Sequence, residues 1–447
     1  MRASPLHDAA FLTAEAPEGV APRFHGAAPL DAPREEVVAA TLWATAQGIY
    51  EATVDGVPVT ESVLNPGWTS YEWRLAYQSF DVTTIVRGGT GDLEVGLLLG
   101  NGWWRGRLGF GAANANYGDG IAVAAALEVE FRDGRRQRLT TSPEWRATAS
   151  GITRNSLYKG QTMGARVHGD EPTLAVRAVE IDRETLEPQA APPILRHETL
   201  TPHRIWRSPS GRTLVDFGQN LVGWLRFTVR GHRGDVIRLR HAEVLEDGEL
   251  GTRPLRHADA TDELILSGGD DVFEPTFTFH GFRYVEVEGW PGELGPEDLE
   301  AVVVHSEMAR TGHFRCSDDL VNQLIENAVW SQRGNFLSVP TDCPQRDERL
   351  GWTGDIAAYA ASASFPFDTS DFLDSWLRDL RLETEHAPDR AVPFVVPAVL
   401  KYADFPEGHL SEWSGPTAIW GDAAVWVPQA LWHAYGDRER LAAHYPA

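Results

Sequence analysis

The chain reads as a multidomain protein in which two antiparallel β-sandwich domains precede a helical region. Three observations predict this. At 447 residues it is too long for one ordinary hydrophobic core. Short apolar runs punctuated by Gly and Asp-Gly turns recur in two separate blocks, as they do in all-β sandwiches. From Ser317 onward the apolar period changes from strand-like to helical.

Residues 1–22 are rich in Ala, Pro and Glu without period, which predicts a loosely ordered leader. Runs such as Glu36–Thr45 and Ile49–Val54, with a hairpin signal at Asp55-Gly56, place the first sandwich at 23–150. The pattern continues through Leu93–Leu99, Ile121–Phe131 and the Asp133-Gly134 turn. Trp68, Trp103 and Trp104 lie in glycine-rich loops, where they either stack on a sugar or pack the loops. A Pro-containing stretch, Glu187–Pro193, marks a linker at 151–200. The second sandwich, 201–305, alternates apolar and polar residues in Leu221–Val229, Val236–Arg240 and Tyr284–Glu288. His241, Glu243, His280 and Arg283 fall on these strands, where a satisfied structural role outweighs a catalytic one.

In the last block, 306–447, Leu320, Val321, Leu324, Ile325, Ala328 and Val329 form an apolar stripe with Ser317 as N-cap and Gly334 as the stop. Further helices are expected at about 354–364, 369–384 and 420–434. Between the last two, Pro393, Pro397, Pro406 and Pro416 punctuate a long loop of the kind that borders a site.

Composition excludes some functions. With 40 basic against 64 acidic residues the formal charge is −24, which repels nucleic acid and anionic membrane surfaces. Sixteen Trp agree with sugar stacking without requiring it. Two cysteines, Cys316 and Cys343, make no disulfide framework, and no Cys/His spacing resembles a zinc site, so neither metal nor cofactor is expected. The first 22 residues lack a signal-peptide pattern and no segment has the roughly 18 apolar residues of a span. The expected address is the cytoplasm.

The densest chemistry lies at Thr341–Asp355, where Asp342, Asp347, Glu348 and Asp355 crowd with Arg346, Arg349 and Trp352 between a proline turn and two glycines. Pro340, Pro344, Gly351 and Gly354 suit a rigid loop that can aim side chains. Such acids suit glycoside hydrolysis, in which one carboxyl stays protonated while others ionise and grip hydroxyls. Asp342 and Asp347 would raise the pKa of Glu348, while Arg346 and Arg349 keep neighbours ionised. A surface salt-bridge cluster is the alternative reading of the same composition.

The wording of this segment, Asp342-Cys-Pro-Gln-Arg-Asp-Glu-Arg-Leu-Gly-Trp-Thr-Gly-Asp355 followed by Tyr359, closely resembles the catalytic segment of bacterial α-L-rhamnosidases of the inverting, (α/α)6-barrel type, glycoside hydrolase family 78. Asp216–Asn220, Phe277–Tyr284 and Trp420–Ala423 also resemble that family, in the same order. The resemblance runs from about Pro22 to the end. It implies that 306–447 is the incomplete start of an (α/α)6 catalytic barrel. It further implies Glu348 as general acid, with Asp342, Arg346, Trp352, Asp355 and Tyr359, and more loosely Trp420 and Asp422, around the sugar. Trp352 would pack on the apolar C6 methyl of the 6-deoxy sugar. The family's general base lies farther along the barrel, and no residue before Ala447 matches it; Glu412 is the substitute to consider. The expected partner is a rhamnose-containing glycoside or oligosaccharide, and a homo-oligomer is compatible with the sequence. The competing reading is a noncatalytic carbohydrate-binding protein in which the helical part is vestigial.

Overall fold

The computed structural model describes residues 4–110, 114–164, 171–402 and 417–445. Among them are many strands in three large sheets and seven α-helices. A seven-stranded sheet runs in the order Val176–Val179, Phe11–Ala14, Ala122–Phe131, Val37–Gln47, Leu75–Asp81, Leu186–Pro188, with Arg136–Thr140 also paired to Ala122–Phe131. A six-stranded sheet runs Thr173–Leu174, Arg146–Ala149, Pro22–Ala28, Leu93–Gly100, Ile49–Val54, Val57–Pro58. Alternate residues of both sheets, among them Leu42, Ala44, Phe24, Leu97 and Leu99, bury into one apolar core that continues into the helices. That continuity ties the sheets to the segment bearing the acids.

The third sheet has ten strands, built around the long Thr213–Arg230 strand between His280–Glu288 and Leu299–Ser306. It has its own core, including Val215, Phe217, Leu225, Phe227, Ile237, Phe282 and Val285. Pairing is antiparallel except at two places, Thr162–Gly164 beside Glu263–Ile265 and Leu186–Pro188 beside Leu75–Tyr77. The purely antiparallel expectation is corrected there.

Two segments differ from the sequence reading. The expected leader holds the strand Phe11–Ala14, in register with Val176–Val179, and Leu6, Ala9, Phe11 and Leu12 are fully buried. Its pairing partner stands some 165 residues on, so no local period betrays it. The expected linker at 151–200 is mostly strand. Ile152–Ser156 and Gly160–Gly164 join the ten-stranded sheet, Val176–Val179 and Leu186–Pro188 edge the first sheet, and Ile194–Leu200 pairs with Leu299–Ser306. Its Pro and polar residues suit edge strands, which tolerate both.

The site-bearing helices are Asp319–Asn335, Thr353–Ala363, Ser370–His386 and Ala423–Tyr435. The first is capped by Asp318 rather than Ser317: its carboxylate accepts from the N–H groups of Leu320 and Val321. Gly334 lies inside that helix, which runs on to Asn335. Leu320 and Leu324 of its stripe stay 82% and 64% exposed, and Trp426 is 43% exposed. Phe372 and Trp376, by contrast, are buried: Phe372 stacks on Phe336 at 4.7 Å and Trp376 donates its indole N–H to the Val396 carbonyl at 3.2 Å.

The tryptophans of the first block's loops pack rather than open. Trp68 and Trp103 stack at 6.1 Å, and Trp68 and Trp104 donate their N–H groups to Tyr117 Oη and the Gly120 carbonyl.

Candidate active site

The helix Asp319–Asn335 delivers the chain to a short hairpin, Phe336–Leu337 with Val339–Pro340, and thence to the acidic loop. The loop is closed at its neck by Asp342 N–H donating to the Leu350 carbonyl at 3.1 Å and Leu350 N–H donating to Asp342 Oδ1 at 3.0 Å. Arg349 pins it from below. Buried and held at φ 48°, it donates to the carbonyls of Leu157, Phe279, Gln345 and Arg346, with its guanidinium 4.8–4.9 Å from the rings of Tyr158 and Phe279. Burial lowers its pKa to about 10, which leaves it cationic at neutral pH. Arg349 acts on Asp347 and Asp342 by charge through space rather than by hydrogen bonds. Its donors go to backbone oxygens.

At the centre stands Glu348, buried, with two hydrogen-bond donors, Trp352 and Arg346, and a further ion-pair partner, Arg256, on its carboxylate. Trp352 Nε1 reaches Oε1 at 3.1 Å, while Arg346 Nε at 2.9 Å and Arg256 Nη1 at 3.2 Å meet at Oε2. Arg346 also bridges to Asp342 Oδ2 at 3.2 Å, so one guanidinium spans two acids. Like-charge crowding falls on Asp342. Its pKa is pushed up to about 6, chiefly by loss of water and further by the charge of Glu348, against hydrogen bonds from Cys343 and Leu350 and the charge of Arg346. The Cys343 thiol is pushed up too, by burial first and by Asp342 next. Asp347 turns away, with Oδ2 2.8 Å from His257 Nδ1.

The remaining expected residues are spread along the following helices. Asp355 lies in the first turn of Thr353–Ala363 on an exposed side, its pKa raised by desolvation first and by Glu348. Tyr359, one turn on, donates to Gln332 Oε1 at 3.1 Å and meets Phe336 edge-on. Trp420 lies over the start of that helix, close enough that a Cβ on Gly354 would stand 2.9 Å from its ring, and it meets Phe394 edge-on at 5.9 Å. Asp422 accepts from the Ile419 N–H at 3.0 Å and shapes the turn holding Trp420. Trp352 is 8% exposed, so holding Glu348 takes precedence over presenting an open stacking face. Segment 393–396 lines its other side: Val396 N–H donates to the Gly351 carbonyl and Thr353 N–H to that of Phe394. Glu412, Pro406 and Pro416 lie outside the described residues.

Four contributors escaped the sequence reading. Arg256 and His257 come from the turn after Arg253–Leu255. Phe110 sits 6.4 Å from Trp352 and under Arg256. Tyr158 donates to the Glu348 carbonyl at 2.5 Å. Each is far along the chain, and only the charged Arg256-His257 pair beside Pro254 was a visible anomaly.

Two clusters carry groups that can ligate a metal: Asp342 with Cys343 and Glu348, and His241 with Asp262 and His280. In the first, the Arg346 guanidinium already bridges the two carboxylates and supplies positive charge. In the second, His280 Nε2 pairs with Asp262 Oδ2 at 3.1 Å and His241 Nδ1 bonds the Ala260 carbonyl, with the rings stacked at 4.3 Å deep in the sheet. The cluster is closed to solvent, and it is satisfied only in part: His241 Nε2 and His280 Nδ1 are buried without a hydrogen-bond partner among the described residues, contrary to the expectation of satisfied histidines. Arg283 closes a two-pronged pair with Asp216 at 2.7 and 2.9 Å.

Comparison with known proteins gives three family models in succession: the α-L-rhamnosidase N-terminal domain over residues 35–198, the bacterial α-L-rhamnosidase concanavalin-like domain over 206–305, and the bacterial α-L-rhamnosidase 6 hairpin glycosidase domain over 309–447. An α-L-rhamnosidase of Streptomyces avermitilis is 42% identical over 427 residues, covering 93% of this chain and 40% of its own length; one of Formosa agariphila is 32% identical, covering 92% and 44%. Among solved structures, native α-L-rhamnosidase from Aspergillus terreus superposes with a TM-score of 0.91 at 39% identity, over 99% of this chain and 51% of that one. The S. avermitilis enzyme complexed with L-rhamnose gives 0.87 at 39%, over 97% and 41%. The chain thus spans about two fifths of the length of the curated relatives it matches. Since three models of one family follow one another along it and these relatives align with nearly all of it, the chain belongs to the bacterial α-L-rhamnosidase family.

Proposed function

We propose that the protein takes part in hydrolysing terminal non-reducing α-L-rhamnose from glycosides or oligosaccharides, with inversion and with Glu348 as general acid. The observation that carries this is the Asp342–Arg346–Glu348 arrangement. One guanidinium joins two buried carboxyls, Trp352 also donates to Glu348, and Arg256 forms an ion pair with it. Glu348 would protonate the glycosidic oxygen while Asp342 and Arg346 hydrogen-bond ring hydroxyls, interactions that strengthen as the transition state forms. Asp355, Trp420 and Asp422 would border the sugar, and Tyr359 would support that wall through Gln332. An inverting base must stand roughly 6.5–9.5 Å from the acid with a water between. No described residue is assigned that role, and Glu412 is outside the described residues.

The finer architecture belongs to the same proposal: two β-sandwiches followed by the first helices of an (α/α)6 barrel. The expectation of a cytoplasmic address likewise stands as a proposal, tested by fractionation.

The test is release of nitrophenol from nitrophenyl α-L-rhamnoside, with proton NMR of the first sugar anomer to read inversion. Hydrolysis is expected from a chain that carries both the acid and a general base, because losing general-base assistance costs about 10²–10⁴ in rate. In the active chain, Glu348→Gln should abolish turnover of glycosides with poor leaving groups while leaving sugar binding near normal. Wild-type turnover in that variant removes Glu348 as the acid.

A further inference from the structure

The strand Thr213–Arg230 breaks register with His280–Glu288 at one place. Between the pairs Asp216–Tyr284 and Leu221–Phe282, the four residues 217–220 stand opposite Arg283 alone. A bulge of this kind re-aims side chains, and bulges are common beside active sites. Arg283 braces it through the two-pronged pair with Asp216, whose Oδ1 also accepts from the Gly218 N–H at 2.7 Å, with Gly218 at φ 76°. At its end Asn220 meets Glu243, which lies at the bend after Val236–Ala242, and the Asn220 amide donates to Glu243 Oε1 at 2.8 Å.

This pair borders the acidic loop. The loop is seated on the same strands: a Cβ on Gly281, the cross-strand partner of Val222, would stand 2.9 Å from Gln345 Cβ and 3.0 Å from Pro344 Cγ. Loss of water raises the Glu243 pKa, against the Asn220 hydrogen bond and the charges of Arg346 and Arg349, so Glu243 is near enough to feel Arg346 without bonding to it. Among the described residues Glu243 Oε2 has no protein donor. Arg346, with Nε on Glu348 and Nη2 on Asp342, has Nη1 unused. A free acceptor and a free donor in one corner suit a sugar hydroxyl, which both gives and takes a hydrogen bond. The groups proposed around the rhamnose, Asp355, Tyr359, Trp420 and Asp422, all belong to the helical part. The sheet block supplies none of them, yet its Arg256 comes within 3.2 Å of Glu348, the group that must protonate the leaving oxygen. That block is therefore the wall that meets the leaving group.

We infer that Glu243, oriented by Asn220, is a specificity-determining residue: its free oxygen accepts a hydrogen bond from a hydroxyl of the leaving sugar, and Arg346 Nη1 donates to the same hydroxyl, so that the site favours a saccharide over an aryl group as aglycone. This rests on the proposed rhamnoside hydrolysis with Glu348 as acid, and it deepens that reading by naming the class of leaving group.

The test compares an α-L-rhamnosyl-D-glucose disaccharide with nitrophenyl α-L-rhamnoside, whose leaving group offers no such hydroxyl, in the active chain. In Glu243→Ala the ratio of kcat/KM for the disaccharide to that for the nitrophenyl substrate should fall about tenfold or more, and Glu243→Gln and Asn220→Ala should move it the same way by less. A merely structural role would lower both substrates alike, so an unmoved ratio in folded variants overturns the inference. Weaker calorimetric binding of free L-rhamnose by Glu243→Ala would place the residue at the rhamnose itself and overturn it too. Failure of the Ala and Gln variants alike to fold would make Glu243 structural, with the same result. A wild type that hydrolyses neither substrate removes the proposed function, and this inference with it, whereas an active wild type with an unmoved ratio removes the inference alone.

Discussion

At the scale of single residues, the site depends on how one guanidinium divides itself between two acids. Asp342 has its pKa pushed up to about 6 by burial, so it keeps a proton in the folded chain over a range where the unfolded chain has released it. The stability it contributes is therefore fully present below about pH 3.8 and is lost as pH rises toward 6. Asp342→Asn should remove this dependence: the wild type should lose about 2–3 kcal/mol relative to the variant between pH 4 and 6.5, read from urea midpoints at each pH. Parallel curves would mean that Asp342 is not desolvated. Arg346→Ala should cost one or two charge-assisted hydrogen bonds, each about 1.5–3 kcal/mol, and weaken rhamnose binding tenfold or more by calorimetry. Asp342, Arg346 and Glu348 were legible as a group because they lie within seven residues on one loop. Arg256 was not, because its pairing closes over 92 residues and leaves no local trace.

At the scale of elements, periodicity located the four long helices to within a few residues, and a side-chain cap starts one of them, Asp319–Asn335. Asp318 displaces Ser317 as the cap because its carboxylate is the one that reaches the free N–H groups of the first turn. The glycines of the acidic loop are explained by close approach. A Cβ on Gly351 would stand 2.1 Å from the Val396 carbonyl oxygen, which is backbone and cannot step aside. Gly351→Ala should therefore destabilise by about 1–3 kcal/mol in thermal melts and loosen the segment against Trp352. Gly354→Ala meets the Trp420 ring instead, so its effect should appear first in near-ultraviolet dichroism as that indole shifts. Strand assignment was weaker than helix assignment. The strand Phe11–Ala14 and the edge strands of 151–200 are short and pair at long range, so their pattern is indistinguishable from that of a loop.

Across the whole molecule, the first block and the helices are joined by ions buried out of water. Arg74 is 1% exposed and bonds Asp379 Oδ2 at 2.8 Å, the Ser375 carbonyl and hydroxyl, and Glu187, while Ser70 reaches Asp379 and Glu383. Breaking such a pair leaves a charge stranded. Arg74→Met should cost about 3–5 kcal/mol and separate the unfolding of the two parts into two calorimetric transitions. A single unshifted transition would show that the apolar contact alone holds them. Elsewhere, Leu320 and Leu324 on the helix Asp319–Asn335, and Val425, Trp426 and Trp432 on Ala423–Tyr435, are exposed. An apolar surface of this kind favours association, so Leu320→Glu with Leu324→Lys should reduce self-association in sedimentation runs.

What the sequence by itself determined was the kind of protein and the identity of its acidic loop. Alternation, turn residues and helical stripes are local signals, and the 14-residue segment from Asp342 to Asp355 carries its chemistry within one stretch. Only the tertiary structure decided which partners Glu348 meets, which acid takes the upward shift, and that Phe11–Ala14 and strands such as Ile194–Leu200 belong to the sheets. The physical reason is that burial and Coulomb energy depend on distance in space, and the groups that set them, Arg256, Tyr158, Phe110 and Arg74, reach the helical region from 92 to more than 300 residues away.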